Sequence, residues 1–317
     1  MKIPIITGTT ASGKTALALE LAAQMKSVGA RVEIINADSL LVYRGLDIGT
    51  AKPSSDELKR LKHHLIDTHF PNETYTAGDF ARDVNQILES DDGQTCFLIV
   101  GGTGFYLKAL LFGIWDGPKA DPEVRARLEK ETNESLHQKL TLKDPISAAK
   151  IAQADRYRLV RALEIIEISG KLPSELEAQS NKSPDPRFDL IILDRPNPEL
   201  FERIEKRTKQ MLEQGLVDET KRALDRYGDC APLGSVGYAQ VVDHIRGIAP
   251  QGRKSTTLSE EISLATRQLV KRQRTWFKGQ FPFAQPYVLD QDREKVWNHV
   301  LAASSSFQTE PEKPQPK

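Results

Sequence analysis

The first 22 residues constrain the fold of this chain more than any other stretch. Lys2 to Ala22 reads KIPIITGTTASGKTALALELA: apolar residues run into Gly8, a loop of small residues follows, and helical periodicity begins near Lys14. The segment Gly8, Thr9, Thr10, Ala11, Ser12, Gly13, Lys14, Thr15 fits G-x-x-x-x-G-K-[ST], the pattern that cradles phosphates between a strand and a helix. Each residue type has a task there. Gly8 and Gly13 permit backbone angles that turn successive N–H groups inward. The helix start adds the positive end of its dipole, Lys14 supplies a mobile cation, and Thr15 offers a hydroxyl to magnesium. An ordinary glycine-rich turn is the bland alternative. A chance match to the pattern is easy, but a match in strand, loop and helix context is not.

The rest of the first third continues the alternation, with RVEIINAD as a strand, a helix around Asp79 to Leu88, and TCFLIVGG as a further strand. Alternation of this kind implies a parallel sheet with helices on its faces. From Pro118 to Arg187 the texture changes: Lys and Arg are frequent and Tyr157 is the only aromatic residue. Asp144 with Pro145 reads as N-cap and first turn, Asp155 as another N-cap, and Gly170 as a helix stop. FDLIIL then reads as a strand returning to the sheet. The predicted fold is α/β, a P-loop NTPase-like parallel sheet flanked by helices with an inserted α-helical lobe. The expected organisation is 1–117 for the first part of the core, 118–187 for the lobe, 188–302 for core completion and C-terminal helices, and 303–317 for a disordered tail.

Composition narrows the function classes. The 317 residues carry a formal net charge of +0, so a polyanionic partner has to meet a local basic surface. Cys96 and Cys230, the only cysteines, supply neither a disulfide framework nor a zinc set. No apolar run approaches the roughly 20 residues that span a bilayer, and Met1 leads almost at once into the first strand. A cytoplasmic protein without membrane association is expected, and a monomer.

Several side chains are candidates for chemistry. Asp38, at the end of VEIINAD, arrives at the carboxyl edge of the sheet, where open α/β sheets bind ligands. It suits a general base and equally suits a loop cap. P-loop hydrolases and kinases place a magnesium-organising Asp at a later strand end, but FLIVGGTG ends in glycines. LIILD ends in Asp194, either a magnesium site or a plain strand-end residue. His63 and His64 have no third ligand at metal-site spacing and read as structural. GGTGFY brings Thr103 toward the same edge as Asp38, as a pocket wall or a packing turn. Near the C-terminus Arg267, Lys271, Arg274 and Lys278 share a helical face beside Trp276 and Phe277. From Arg253 to Lys278 there are seven basic and two acidic residues, a net of +5. That face fits RNA phosphates with stacking; the alternative is a solvated face with its aromatics in the core.

At this point the order of motifs is specific. GTTASGKT, DSLLVYRGLDIGTAKP, HHLID, GGTGFYLKALLFG, DPEVRARL, RALEIIEISGK, LDRPNPELFERIEKR and VGYAQ, spread over about the first 280 residues, resemble the successive motifs of the tRNA dimethylallyltransferases of bacterial type, which lack a C-terminal zinc finger. The resemblance implies transfer of a dimethylallyl group from dimethylallyl diphosphate to N6 of adenosine 37 in the anticodon loop of tRNA, with Mg2+ as cofactor. It implies that the loop Gly8 to Thr15 and Arg207 hold the diphosphate, that Thr15 meets the metal, and that Asp38 takes the N6 proton, with Thr103 and Arg125 near the reacting centre. Asp38, Ser39, Leu40, Leu41, the run Tyr157, Arg158, Leu159, Val160, Arg161, and Gly237 and Tyr238 match tRNA-contacting positions. Lys271 and Arg274 of the basic helix join them as RNA contacts. Two departures stand out: Thr9 replaces a usual proline, and Leu41 a frequent glutamine that would hydrogen-bond the target base.

Rival functions use the same loop. A small-molecule or nucleotide kinase would place ATP there, but FLIVGG lacks the strand-end acid and no arginine-rich phosphate lid is evident. An RNA-binding protein with a relic loop would have no need of intact Lys14, Thr15 and Asp38. An adenylate isopentenyltransferase would alkylate free nucleotides, against which stand the helical lobe and the basic helix.

Overall fold

The computed structural model describes residues 2–113, 118, 120–178, 183–248 and 257–304. The chain divides into two compact units, Met1–Lys108 with Asp185–Lys317, and Ala109–Pro184.

The first unit is built on six strands, β1 (Ile3–Gly8), β2 (Arg31–Asn36), β3 (His63–His64), β4 (Thr95–Val100), β5 (Phe188–Asp194) and β6 (Pro286–Val288), all parallel, in the order β3-β2-β4-β1-β5-β6. Every residue of β4 and all but the first of β1 and β2 are buried. Such near-continuous apolar runs are what a parallel sheet covered on both faces requires. Around it lie α1 (Lys14–Ser27), α2 (Ser55–Arg60), α3 (Ala77–Glu89) and the start of α4 (Gly104–Phe112). α1 lays Leu17, Leu21 and Met25 against Ile6, Val32 and Leu98 in one core.

The second unit holds α5 (Pro122–Leu128), α6 (Asn133–Lys143), α7 (Pro145–Lys150), α8 (Arg156–Ser169) and α9 (Pro173–Ala178). The caps act as read from the sequence: Asp144 accepts from Ser147 N with Pro145 in the first turn, Asp155 accepts from Arg158 N, and Gly170 ends α8 with φ 67°. Leu128, Leu136, Leu140, Leu159 and Leu163 form a core of its own. The unit opens at Ala109, inside α4, ahead of the composition change near Pro118.

The chain returns to the first unit with α10 (Asn197–Glu213), α11 (Leu216–Tyr227), α12 (Tyr238–Ile245), α13 (Leu258–Gln280) and α14 (Leu289–Ser304). Two strands were not foreseen: β3 and β6 have two and three residues, too short for a period-2 pattern. α14 carries the chain through Ser304, so the first two residues of the expected disordered tail are helical; 305–317 lie outside the described residues.

Candidate active site

β1 delivers the phosphate loop to the carboxyl edge of the sheet. Gly8 has φ 138°, and a Cβ there would fall 1.9 Å from Leu193 O of β5, so only glycine lets the chain turn this close to the neighbouring strand. Ala11 and Gly13 also take positive φ, at 65° and 101°. α1 then starts with a glycine at its N-cap and no side-chain cap, so its first-turn amides keep their hydrogen-bonding capacity for an anion. Lys14 folds back, donating from Nζ to Gly8 O at 3.1 Å and Thr9 O at 2.7 Å. Desolvation draws its pKa down to about 8; Asp38 opposes that shift and Arg207 adds to it. Arg207, on α10, is likewise drawn below its ordinary value by burial, again with Asp38 opposing.

Four successive loop residues are braced from other elements. Thr9 Oγ1 donates to Asp194 Oδ1 at 3.1 Å, and Thr10 N donates to Gln273 Oε1 at 2.8 Å. Ala11 O accepts from Arg203 Nε at 2.9 Å, and Ser12 O from Arg195 Nε at 2.8 Å. Arg195 is itself buried and paired with Glu199 and Asp290. Thr9 thus makes use of the hydroxyl that a proline would lack.

Asp38 follows β2 in a turn of its own making. Its N–H donates to Asn36 Oδ1 at 2.9 Å, and its Oδ1 accepts from Leu40 N at 3.0 Å. The loop-cap reading is therefore seen directly: one carboxylate oxygen caps the loop, and among the described residues the other takes no hydrogen bond. Thr103 is locked against the same turn, its Oγ1 accepting from Ser39 N at 2.9 Å and donating to Ser39 Oγ at 3.2 Å. The two loops touch through backbone: a Cβ on Gly101 would fall 2.1 Å from Ala37 C, which explains the glycine at that position.

Two cavities open from this edge, of about 580 Å³ and about 470 Å³. The first contains Lys14, Thr15, Arg203 and Lys206; the second contains Ser39, Thr103, Ile204, Met211 and Ile262. Thr10, Asp38, Thr50, Gly102, Arg207 and Gln273 line both. Asp38 and Arg207 therefore stand at a waist between a cationic chamber and one lined by more apolar side chains.

The IPP transferase family model matches residues 41–280. The chain belongs to the IPP transferase family. It is 39% identical over 285 residues to tRNA dimethylallyltransferase 1 of Citrifermentans bemidjiense, covering 87% of this chain and 89% of that one. It is 40% identical over 296 residues to the tRNA dimethylallyltransferase of Myxococcus xanthus, covering 90% and 93%. Among solved structures, the tRNA isopentenylpyrophosphate transferase of Bacillus halodurans aligns with a TM-score of 0.65 at 30% identity over 95% of this chain and 96% of that one. A eukaryotic dimethylallyltransferase acting on tRNA aligns with a TM-score of 0.75 at 25% identity, over 95% of this chain and 78% of that one.

Within this IPP transferase the structure gathers Gly8 to Thr15, Asp38 to Leu41, Thr103, Arg207 and Gly237 around the cavities or on the loops that form them. In the second unit Arg125 and Arg161 both pair with the buried Glu164, at 3.0 Å and 2.6 Å. Tyr157 and Arg158 are exposed on the same helix.

Other expectations need correction. Leu159 and Val160 point into the core of the second unit, and Tyr238 is fully buried with its hydroxyl donating to Glu219 at 2.7 Å, so these side chains offer RNA no surface. Arg274 is not an outward arm. It pairs with Asp194 at 2.8 Å, bonds Arg195 O at 2.5 Å and reaches Asn197. The same contacts, with Thr9, occupy Asp194, which is therefore a brace for the loop rather than a bare metal-organising acid. Arg267 pairs with Glu205 and lies over the Phe201 ring. Phe277 is buried and Trp276 packs edge-on against Phe277 and Phe281, leaving Lys271, Arg272 and Lys278 as the exposed cations of α13. Arg253 and Lys254, at the start of the basic stretch, lie outside the described residues.

Sequence reasoning missed Arg203, Lys206 and Gln210, which with Arg207 line the first cavity. Their spacing of three to four residues along α10 was the signal. It also missed Glu219, whose carboxylate accepts from Asp47, Ile48 and Gly49 N at 2.8, 2.8 and 3.0 Å and so fixes the GLDIGT loop. No local pattern marks a partner so distant in sequence.

Proposed function

We propose that this chain transfers a dimethylallyl group from dimethylallyl diphosphate to N6 of adenosine 37 in tRNA, releasing diphosphate. The observation that carries the reading is the position of Asp38 at the waist shared by both cavities, beside the loop that ends in Lys14 and Thr15. The diphosphate lies on the loop amides, Lys14 and Arg207 in the first chamber, and the target adenine enters the second past Thr103. The C1–O bond of the allylic substrate breaks with its electron pair going to the diphosphate oxygen. The N6 lone pair forms the new C–N bond, and the N6 proton passes to Asp38. Lys14, Arg207 and the loop amides stabilise charge where it grows on the leaving group. The base must leave its stack to reach Asp38, as is general for chemistry on a base.

Mg2+ is part of the proposal. Thr15 lines the first cavity, and among the described residues no group of three or more His, Cys, Asp or Glu could hold a metal. That donor set fits an ion that arrives with the diphosphate and keeps waters and phosphate oxygens as its other ligands, where it would neutralise leaving-group charge. The reading takes the protein as a monomer. The described residues include no helix long and apolar enough to cross a membrane, and a tRNA acceptor is in keeping with a cytoplasmic protein.

The test offers labelled dimethylallyl diphosphate and Mg2+ with equimolar unmodified tRNA and AMP. Label in tRNA at the adenosine is the expected result. Label in AMP would replace the reading with that of an adenylate isopentenyltransferase.

A further inference from the structure

Of the four side chains that brace the phosphate loop, three bind groups an anion does not need. Asp194 takes the Thr9 hydroxyl, and Arg203 and Arg195 take the Ala11 and Ser12 carbonyls. Gln273 differs: its Oε1 accepts the Thr10 amide N–H at 2.8 Å, the kind of inward donor the loop uses to hold a phosphate oxygen. Its other end, Nε2, would lie 3.5 Å from a Cβ placed on Gly102. Gln273 lines both cavities, at the same waist as Asp38 and Arg207.

We propose that Gln273 is a positioning residue that couples the two chambers, its carboxamide standing in for a diphosphate oxygen on the Thr10 amide until substrates fill the site. The inference rests on the reading of the first chamber as the diphosphate site. A diphosphate oxygen and Gln273 Oε1 compete for one N–H, so filling the first chamber releases the carboxamide. A released carboxamide at the waist has a donor and an acceptor to offer the acceptor base, and the pairing of such amides with adenine N6 and N7 is well matched in geometry. The converse holds by linkage: a base that recruits the carboxamide frees Thr10 N–H for the diphosphate. Neither order of binding is imposed, and each ligand favours the other.

The test measures binding of inorganic diphosphate with Mg2+ by calorimetry, with and without unmodified tRNA. This pair cannot react. In the unaltered protein, tRNA is expected to tighten diphosphate binding by about fivefold or more, the lower end of ordinary coupling. Gln273→Ala should bind diphosphate alone at least as tightly as the unaltered protein, because the competitor is gone, and should lose the effect of tRNA. Gln273→Glu keeps size and acceptor but sets a negative charge against the ligand, and should weaken diphosphate binding by about tenfold or more. Weaker diphosphate binding by a folded Gln273→Ala protein would reduce Gln273 to a structural brace. The same affinity with and without tRNA in the unaltered protein would also overturn the coupling. Failure of the unaltered protein to bind diphosphate at all would instead overturn the diphosphate reading of the first chamber.

Discussion

At the residue scale the candidate site depends on Asp38 and Arg207, which border both cavities, and on Lys14, which lines the first. Asp38 caps its loop with one oxygen, and the proposed reaction gives the other a proton, so removing the carboxylate removes both tasks. Asp38→Ala is expected to lower turnover by about a hundredfold or more, the usual scale for a general base, with tRNA affinity within a few-fold of the unaltered protein; near-normal single-turnover rates would remove the assignment. Lys14 gives a pH signature. With its pKa drawn down to about 8, the free protein loses this cation as pH rises through that value, while a bound diphosphate, by favouring the charged form, holds the proton. Affinity for inorganic diphosphate should therefore fall above about pH 8, beyond the change due to the ligand's own titration. Lys14→Ala supplies that baseline, since it retains only the ligand's contribution. Identical profiles for the two proteins would mean that Lys14 does not titrate with the site.

At the scale of elements, α13 carries two kinds of basic residue that the sequence presents as one stripe. Arg274 reaches inward to Asp194 and Arg195, and Arg274→Ala should cost about 1–3 kcal/mol of stability by leaving Asp194 without its cation, read from denaturant unfolding. Lys271 and Lys278 are exposed, and changing both to Ala should leave stability nearly unchanged. It should reduce the salt dependence of tRNA binding by about 0.7–0.9 in the log-log slope for each phosphate that is no longer neutralised; an unchanged slope would mean that this face only meets water. The stripe misled because helical spacing fixes which residues share a face but not what lies across from it. Asp194, 80 residues earlier in the chain, decides that Arg274 is structural. The phosphate loop, the second strand with Asp38 and the capped helices of the lobe were legible because their signals are local: glycine, a Lys-Thr pair, an Asp before a helix. β3, β6, Glu219 and Gln273 were not, because each is defined by a partner far away in sequence.

At the scale of the whole molecule the chain supplies one unit with the sheet-edge candidate site and another, Ala109–Pro184, with a separate core and an exposed Tyr157 and Arg158. Replacing both exposed residues with Ala should raise the KM for tRNA by several-fold while leaving inorganic diphosphate affinity unchanged; a matching loss in both would show that the change reaches the sheet edge. In the proposed function a loop of nucleotide-binding pattern serves a diphosphate leaving group and not a nucleotide. The most direct measurement uses nucleotide-free protein, unmodified tRNA, Mg2+ and dimethylallyl diphosphate, following tRNA alkylation and released diphosphate together. One diphosphate per alkylated adenosine is expected with no ATP present. Transfer that appears only when ATP is added, with ATP hydrolysed in proportion, would contradict it.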